Sequence, residues 1–543
     1  MKRLPFVTVL AVLAVAIAVT VGGNLLAAAP TPSPTASPSA RASDVAAATP
    51  SAAPSASAEP TPSTPSPTPG TVVADVAIVP VAQFRTAQDR TTRAEIRDVL
   101  AGTSKTYEAL ELVAADADAI LTALGAERPA DETRLILAKD AATLAKDLAK
   151  HRKRLAFLRA DEVGPSVRAL SWGDRALFGG DAVKSLEAWG LSAQLEVASG
   201  AASFDPAATW TLVAGGDIML DRGVAQTIKI KKKGVDFPFD GGTADITGRC
   251  RDCSAFGWDL PYTKRTGNKG VVRDLIEGAD LAIANFENPA PNNFRYHTSG
   301  TVFSADPALI EGLANAGIDY VGLANNHIRD AGGNGIIQTI ANLKKYGIKS
   351  GGAGKNSSAA RKPVILEAGG TKVAILAYDT IAKYYAAGTD KAGSAILTAK
   401  AVNTDVAKAR EAGAEVVIVF PHWGTEYDPT PFKGQQSLAK ASIDAGADMV
   451  IGNHAHWAGA VETYKGKPIW YALGNFVFDQ TWSEPTMEGI TLELSFRGPK
   501  LVQARMRPHI ILDKAQPNFL DPKGDGRVVM GQIFDASRGL LDW

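Results

Sequence analysis

A chain of 543 residues exceeds one ordinary domain, and a hydrophobic fraction of 45% is ample for more than one core. Lys+Arg and Asp+Glu both total 57, so the formal net charge is zero and nothing points to nucleic acid as a partner. The basic runs HRKR (His151 to Arg154) and KIKKK (Lys229 to Lys233) are solvated faces of helices or loops, not a nucleic-acid footprint.

Lys2 and Arg3 precede a nearly uncharged apolar segment, Leu4 to Ala29, which implies export. Its length favours a retained single anchor in the cell membrane with the folded part outside the cell. Ala27 and Ala29 leave cleavage, and so a secreted protein, as the alternative. Residues 30–70 are built almost wholly of Pro, Ser, Thr and Ala, a composition that cannot bury a core and is expected to form an extended, disordered tether. The only cysteines, Cys250 and Cys253, form a CxxC. Two thiolates are too few for a structural zinc site, and outside the cytosol a small-loop disulfide is expected.

A first folded unit is expected over 71–206. Val72 to Val79 reads as a strand, Thr92 and Glu95 can form a capping box ahead of IRDVLAG, and the strand-like Arg134 to Leu137 precedes the helical run DAATLAKDLAKHRKRL. Leu155 to Leu158 is a further strand, so the unit is α/β. The phrases VAIVPVAQFRT, EIRDVLAG, LAFLRADEVGPSVRALSWGD and EAWGL resemble the small lobe of periplasmic-type solute-binding proteins; an α/β spacer without a ligand is the other reading.

From Trp210 one theme repeats. TLVAGGDIM, DLAIANFEN, DYVGLANNH, KVAILAYDT, EVVIVFPHW, DMVIGNHAH and PIWYALGNF are strand-like runs separated by helical stretches, which implies crossovers and a largely central sheet. Ile490 to Phe496 and Leu501 to Met506 read as a closing hairpin turning at Gly498 and Pro499. A short helix is expected around VMGQIFDASRGLL, in a C-terminal extension over 514–543. Polar residues gather at the predicted strand ends: Asp217, Asn285, Glu287, Asn326, His327, Asp330, His422, Glu426, His454 and His456.

Carboxylate, imidazole and amide donors together suit one or two divalent ions of the Mn, Zn or Fe kind. His454 and His456 would point the same way on extended backbone. A lone buried histidine is more often packing than ligand, but so many polar clusters at predicted strand ends favour a metal site.

The motifs GGDIMLDRG, ANFENP, GLANNHIRDAG, FPHWGTEY, IGNHAHW and ALGNFVFDQ resemble those of the CapA family of capsule or poly-γ-glutamate synthesis proteins, related to calcineurin-like metallophosphoesterases. The resemblance implies a four-layer α/β/β/α metallophosphatase-like fold over 207–513. It implies Asp217, Glu287, Asn326, His422, His454 and His456 as metal ligands, with His327 as an acid oriented by Asp330. Met219 stands where the wider superfamily has a further histidine, and Glu287 with Asn285 stands where it has an Asp-rich loop, so one ligand position departs from the pattern. Trp423, Glu426 and Tyr427 are candidate substrate contacts, with Trp457 beside them; core packing is the alternative for the aromatics. Asn475 and Asp479 are expected to brace loops, and DPKGDG (Asp521 to Gly526) to be a surface turn and not a calcium loop.

The implied function is metal-dependent hydrolysis or transfer at an amide or ester of an extracellular anionic polymer such as poly-γ-glutamate. Rival readings are a non-catalytic, polymer-handling subunit working with the subunits of a membrane synthase, and a phosphoesterase.

Overall fold

The computed structural model describes residues 70–543, which belong to one compact unit. The expected apolar N-terminal segment and the Pro/Ser/Thr/Ala-rich tether lie outside the described residues, apart from Gly70. Among the described residues no helix is long and apolar enough to cross a membrane.

The N-terminal lobe is built on a six-stranded sheet. The strand Thr71–Gln83, longer than the apolar run alone suggested, pairs through its first half with Ser192–Ala198 and through its second with Arg154–Arg159 and Val167–Ala169. Ala109–Val113 lies parallel to Arg154–Arg159 on one side and to Leu135–Ala138 on the other. Thr92 caps the helix Arg93–Ala101 by accepting the Glu95 N–H at 3.3 Å, and Asp140 caps Ala141–Lys150 in the same way through Thr143. That second helix stops short of the expected run: His151 to Lys153 turn the chain, and Arg154 already belongs to the next strand. The apolar tetrad Leu155 to Leu158, wholly buried in the sheet, wins over continuation of the helix.

The remainder contains two further large sheets, and a two-stranded one of Ala353–Gly354 with Gly393–Ser394, where the repeated strand runs suggested one central sheet. In the ten-stranded sheet, Thr209–Ile218 lies between Leu281–Phe286, parallel to it, and Glu488–Arg497, antiparallel to it. Tyr320–Gly322 and Lys349–Gly351 extend this sheet on one side. On the other come Lys500–Leu512, Gln516–Phe519 and the hairpin Thr243–Cys250 with Leu260–Gly267. The third, six-stranded sheet holds Thr371–Asp379, Val416–His422, Met449–Ile451 and Lys467–Trp470 as parallel neighbours, with antiparallel edges Val364–Ala368 and Val461–Tyr464.

The alternation of side chains along each strand decides the layering. Leu212, Ala214, Ile283 and Tyr320 of the larger sheet share one buried core with Ile375, Ile418, Phe420 and Ile451 of the smaller. The intervening residues face outward: Val213, Ala282 and Val321 pack under the helices Val271–Glu277, Ile310–Asn315 and Gly332–Lys345. Leu376, Val417 and Val419 pack under Ala399–Glu411 and Lys433–Asp444. The order of layers is therefore α/β/β/α. The run PIWYALGNF, read as one strand, is divided: Lys467–Trp470 belongs to the smaller sheet, whereas Asn475–Val477 crosses over to pair with Thr209–Ile218 of the larger. Its two halves bury against different sheets, so no single strand can satisfy both.

The expected hairpin is present as Glu488–Arg497 and Lys500–Leu512, and the expected C-terminal helix as Gly526–Ala536. The N-terminal lobe docks on that hairpin: Val502 enters the lobe's core, and Gly180 donates to Glu493 at 2.9 Å. Cys250 and Cys253 are disulfide-bonded at the end of the 243–267 hairpin.

Candidate metal centre

Two close backbone approaches create the site. Gly216 lies so near the chain at Gly474 that a Cβ there would sit 1.8 Å from the Gly474 carbonyl oxygen. This contact lets the Asp217 N–H donate to that oxygen at 3.1 Å and sets Asp217 opposite Asn285 in the parallel ladder. Just past the neighbouring strand, the Glu287 N–H donates to Ile218 at 2.8 Å, which fixes the second carboxylate beside the first. The smaller sheet delivers its own end in register: His422 is the last residue of its strand and bridges to Asn453, two residues past the end of the next.

The loop after Met449–Ile451 is not the extended segment expected to align His454 and His456. Both have left-handed backbone, at φ 91° and 58°, unusual for residues with a Cβ. They nevertheless converge, with ring centroids 6.0 Å apart. The His454 N–H donates to Asp217 Oδ2 at 3.1 Å, and His456 Nδ1 is held 2.8 Å from Asn475 Oδ1. Asn475 therefore braces the loop, and Asp479 does likewise by pairing with Arg222.

Glu287 stands at the centre. Its Oε1 lies 3.6 Å from His422 Nε2, 3.8 Å from His456 Nε2 and 4.0 Å from His327 Nε2. Neither of its carboxylate oxygens has a hydrogen-bond partner, and both are closed off from solvent. Two sets of donor atoms are each compact enough to surround one cation: Glu287 with His422 and His454, and Asp217 with Glu287 and His456. Asn326 joins the first through its Oδ1, 2.8 Å from His422 Nε2. Asp217 is wholly buried and accepts from Asn285 Nδ2 at 2.7 Å.

Burial pushes the Asp217 carboxyl up to about 7, against the hydrogen bonds from Asn285 and His454. Burial also raises Glu287 well above the usual carboxylate range, with Asp217 and Glu426 adding to it. The same burial lowers His422 and His454 well below the ordinary imidazole value and brings His456 to about 3. The histidines are thus neutral, and among the described residues neither carboxylate has a Lys or Arg within ion-pair distance. An orphaned, buried carboxylate among neutral imidazoles is a donor set that fits a divalent cation.

His327 borders this cluster. Its Nδ1 is 2.9 Å from Asp330 Oδ2, Phe303 packs against its ring at 4.1 Å between centroids, and its Nε2 is the nitrogen nearer to Glu287. Met219 is fully buried, and its sulfur accepts from the Asp221 N–H at 3.0 Å, so it packs in the core.

Of the three expected substrate contacts, Trp423 is withdrawn. It is 1% exposed, donates its indole N–H to Tyr471 at 2.9 Å, and belongs to the core on the outer face of the smaller sheet. Tyr427 is half-buried and lies over His456 with centroids 6.0 Å apart, and Glu426 is exposed beside it. Trp457 and Trp482 flank Tyr427 at 6.4 and 4.8 Å. Trp482 was not singled out in the sequence, because no strand run leads into it. Arg222 was also missed, although it sits inside the motif GGDIMLDRG; its guanidinium lies over Phe303 at 4.8 Å and is the nearby cation that lowers Glu287.

Residues 211–480 match the family described as bacterial capsule synthesis protein PGA_cap. The capsule biosynthesis protein CapA of Bacillus anthracis is 33% identical over 278 residues, a match covering 50% of this chain and 67% of that protein. The PGA biosynthesis protein CapA of Bacillus subtilis is 32% identical over 216 residues, covering 39% of this chain and 57% of that protein. Among solved structures, the NAD nucleotidase of Haemophilus influenzae covers 56% of this chain and 50% of its own at 12% identity, with a TM-score of 0.34.

Proposed function

This chain belongs to the bacterial capsule synthesis protein family, and from that premise we propose that it is a metal-dependent hydrolase or transferase acting on an amide or ester of an extracellular anionic polymer such as poly-γ-glutamate. The observation that supports the reading most is Glu287, buried with both oxygens unpartnered and shared between two groups of cation-ready donors. Asp217, Glu287, Asn326, His422, His454 and His456 would hold one or two ions of Mn, Zn or Fe. Such an ion supplies a Lewis acid that polarises a scissile carbonyl and acidifies water.

The protein's own groups have separate tasks. Asp330 holds Nδ1 of His327 and leaves Nε2 directed at the cluster, where it can deliver a proton to a leaving amine or alcohol. Tyr427, Trp457 and Trp482 form a wall beside His456, along which the polymer would lie, with Glu426 at the rim. An N-terminal anchor over 1–29 and a tether over 30–70 would hold this site at the outer face of the cell membrane, beside synthase subunits.

The test is metal content and turnover in the full-length protein. Stoichiometric divalent metal and cleavage of poly-γ-glutamate are expected, with turnover lost in His327→Ala and metal lost in His454→Ala. Protein purified without metal, and unable to take it up, would sink the enzymatic reading and leave a polymer-handling subunit. Turnover of a generic phosphodiester instead of the polymer would replace it with a phosphoesterase.

A further inference from the structure

Away from the histidine cluster, a cavity of about 550 Å³ opens where the N-terminal lobe meets the strand Lys500–Leu512 and the helix Gly526–Ala536. It shares no residue with the metal centre. Seven cationic and four acidic side chains line it, so cations dominate, and much of the acid is already committed. Asp89 pairs with Lys523 at 2.9 Å and Arg90 at 3.6 Å. Asp181 lies 3.9 Å from Arg505, and Asp521 accepts from the backbone of Lys523. Behind the wall, buried Glu493 engages Arg507 at 2.7 Å and Arg505 at 3.6 Å.

Arg168 is left over. It is half-buried and has no acid within ion-pair distance among the described residues; Asp174, the remaining acid of the lining, does not reach it. Its Nε is closed off from solvent and donates to nothing, and the same holds for the Nε atoms of Arg85 and Arg505 around the same cavity. Those Nε atoms face protein, but the terminal nitrogens of Arg168 are not closed off and donate to no protein group among the described residues either, so they are the atoms to which a molecule in the cavity can supply oxygen. Burial, and then the nearby Arg505, disfavour the charged form of Arg168 more than the charges of Glu493 and Asp89 support it, a penalty that a bound anion relieves.

We infer that this inter-lobe cavity is a binding site for an organic anion bearing carboxylate or phosphate groups, with Arg168 as its central contact and Arg85 and Arg505 beside it. Guanidinium forks match the paired oxygens of both groups. Phe84, Met506, Met530 and Phe534 supply an apolar wall for the body of the molecule. The volume is that of an ordinary small-molecule site.

The full-length protein is titrated calorimetrically with a γ-linked triglutamate, with inorganic phosphate and with neutral triglutamine. Saturable binding of one of the two anions and none of triglutamine is expected; which anion binds tells the carboxylate source from the phosphate source. Arg168→Ala should weaken it by about tenfold to a hundredfold, and Arg168→Lys, which keeps charge and stem but loses the fork, by less. Near-native thermal unfolding of Arg168→Lys guards against reading misfolding as lost affinity. His454→Ala should leave the binding in place. The inference is overturned if neither anion binds, if triglutamine binds as well as they do, if both Arg168 variants bind as the wild type does, or if binding disappears in His454→Ala and survives in Arg168→Ala.

Discussion

Replacing Asp217 by Asn should stabilise the metal-free protein at neutral pH and remove its response to metal. Asp217 is completely buried, and burial raises its carboxyl to about 7 in the folded chain, against about 3.9 when unfolded. A group raised on folding favours the folded state fully below its unfolded value and withdraws that support as pH climbs to its folded value. Between about pH 4 and pH 7 the unfolded chain sheds this proton and the folded chain keeps it. At about 1.4 kcal/mol per pH unit, the loss accumulates to about 4 kcal/mol at neutrality. Asn cannot titrate; its one oxygen can replace only one of the two carboxylate oxygens, so either Asn285 or the His454 N–H loses its acceptor, at a cost of about 1–3 kcal/mol that is smaller than the charge penalty removed at neutrality. It also relieves Glu287 of its nearest like charge. Urea unfolding of chelator-treated wild type and Asp217→Asn, at intervals from pH 4 to pH 7.5, measures the difference directly. The variant should be the less stable at the acid end, where only the lost bond counts, and should overtake the wild type as the pH approaches neutrality. Adding Mn should raise the wild type at pH 7 by a concentration-dependent amount and leave the variant little changed. Parallel curves, or a variant less stable at every pH, would refute the account of Asp217 as a buried charge awaiting a cation.

Glu493 should behave in the opposite sense. Burial raises it, but Arg505 and Arg507 outweigh that and bring it to about 2, so its support is complete above about pH 4.3 and drains away as the pH falls towards 2. Glu493→Gln should cost about 3 kcal/mol at neutral pH and flatten acid unfolding followed by circular dichroism below pH 4. Gly216→Ala should force the Asp217 strand off the Gly474 segment, since the added Cβ meets a backbone oxygen that cannot step aside. A loss of about 3 kcal/mol in urea unfolding, with stoichiometric metal uptake abolished, is the expected result. Asp330→Asn should reduce polymer turnover by about tenfold to a hundredfold, while metal content measured by mass spectrometry stays unchanged.

Much of this protein is legible in its residues alone. Apolar β-branched runs ending in Asp, Asn or His identify the strands of both sheets, and the capping residues Thr92 and Asp140 mark helix starts without any tertiary information. The residues of the cluster, His327 with Asp330 included, are visible as polar breaks at the ends of those runs. Periodicity cannot assign a strand to a sheet, because parallel strands buried on both faces look alike in either. PIWYALGNF therefore read as one strand, and only the packing of its halves on different sheets divides it. Trp423 next to His422 was equally ambiguous: side chains alternate across a strand, so one faces the cluster while the other enters the helix-covered core. The backbone of His454 and His456 was beyond reach for another reason. A left-handed conformation at two histidines is disfavoured locally and is imposed by the bonds to Asp217 and Asn475, which lie hundreds and tens of residues away along the chain. The sequence by itself determined which residue types stand at strand ends and hence the chemistry available. Tertiary structure alone decided that two sheets bring those ends together around a carboxylate with no partner, because burial and proximity belong to the packed chain and to no segment of it.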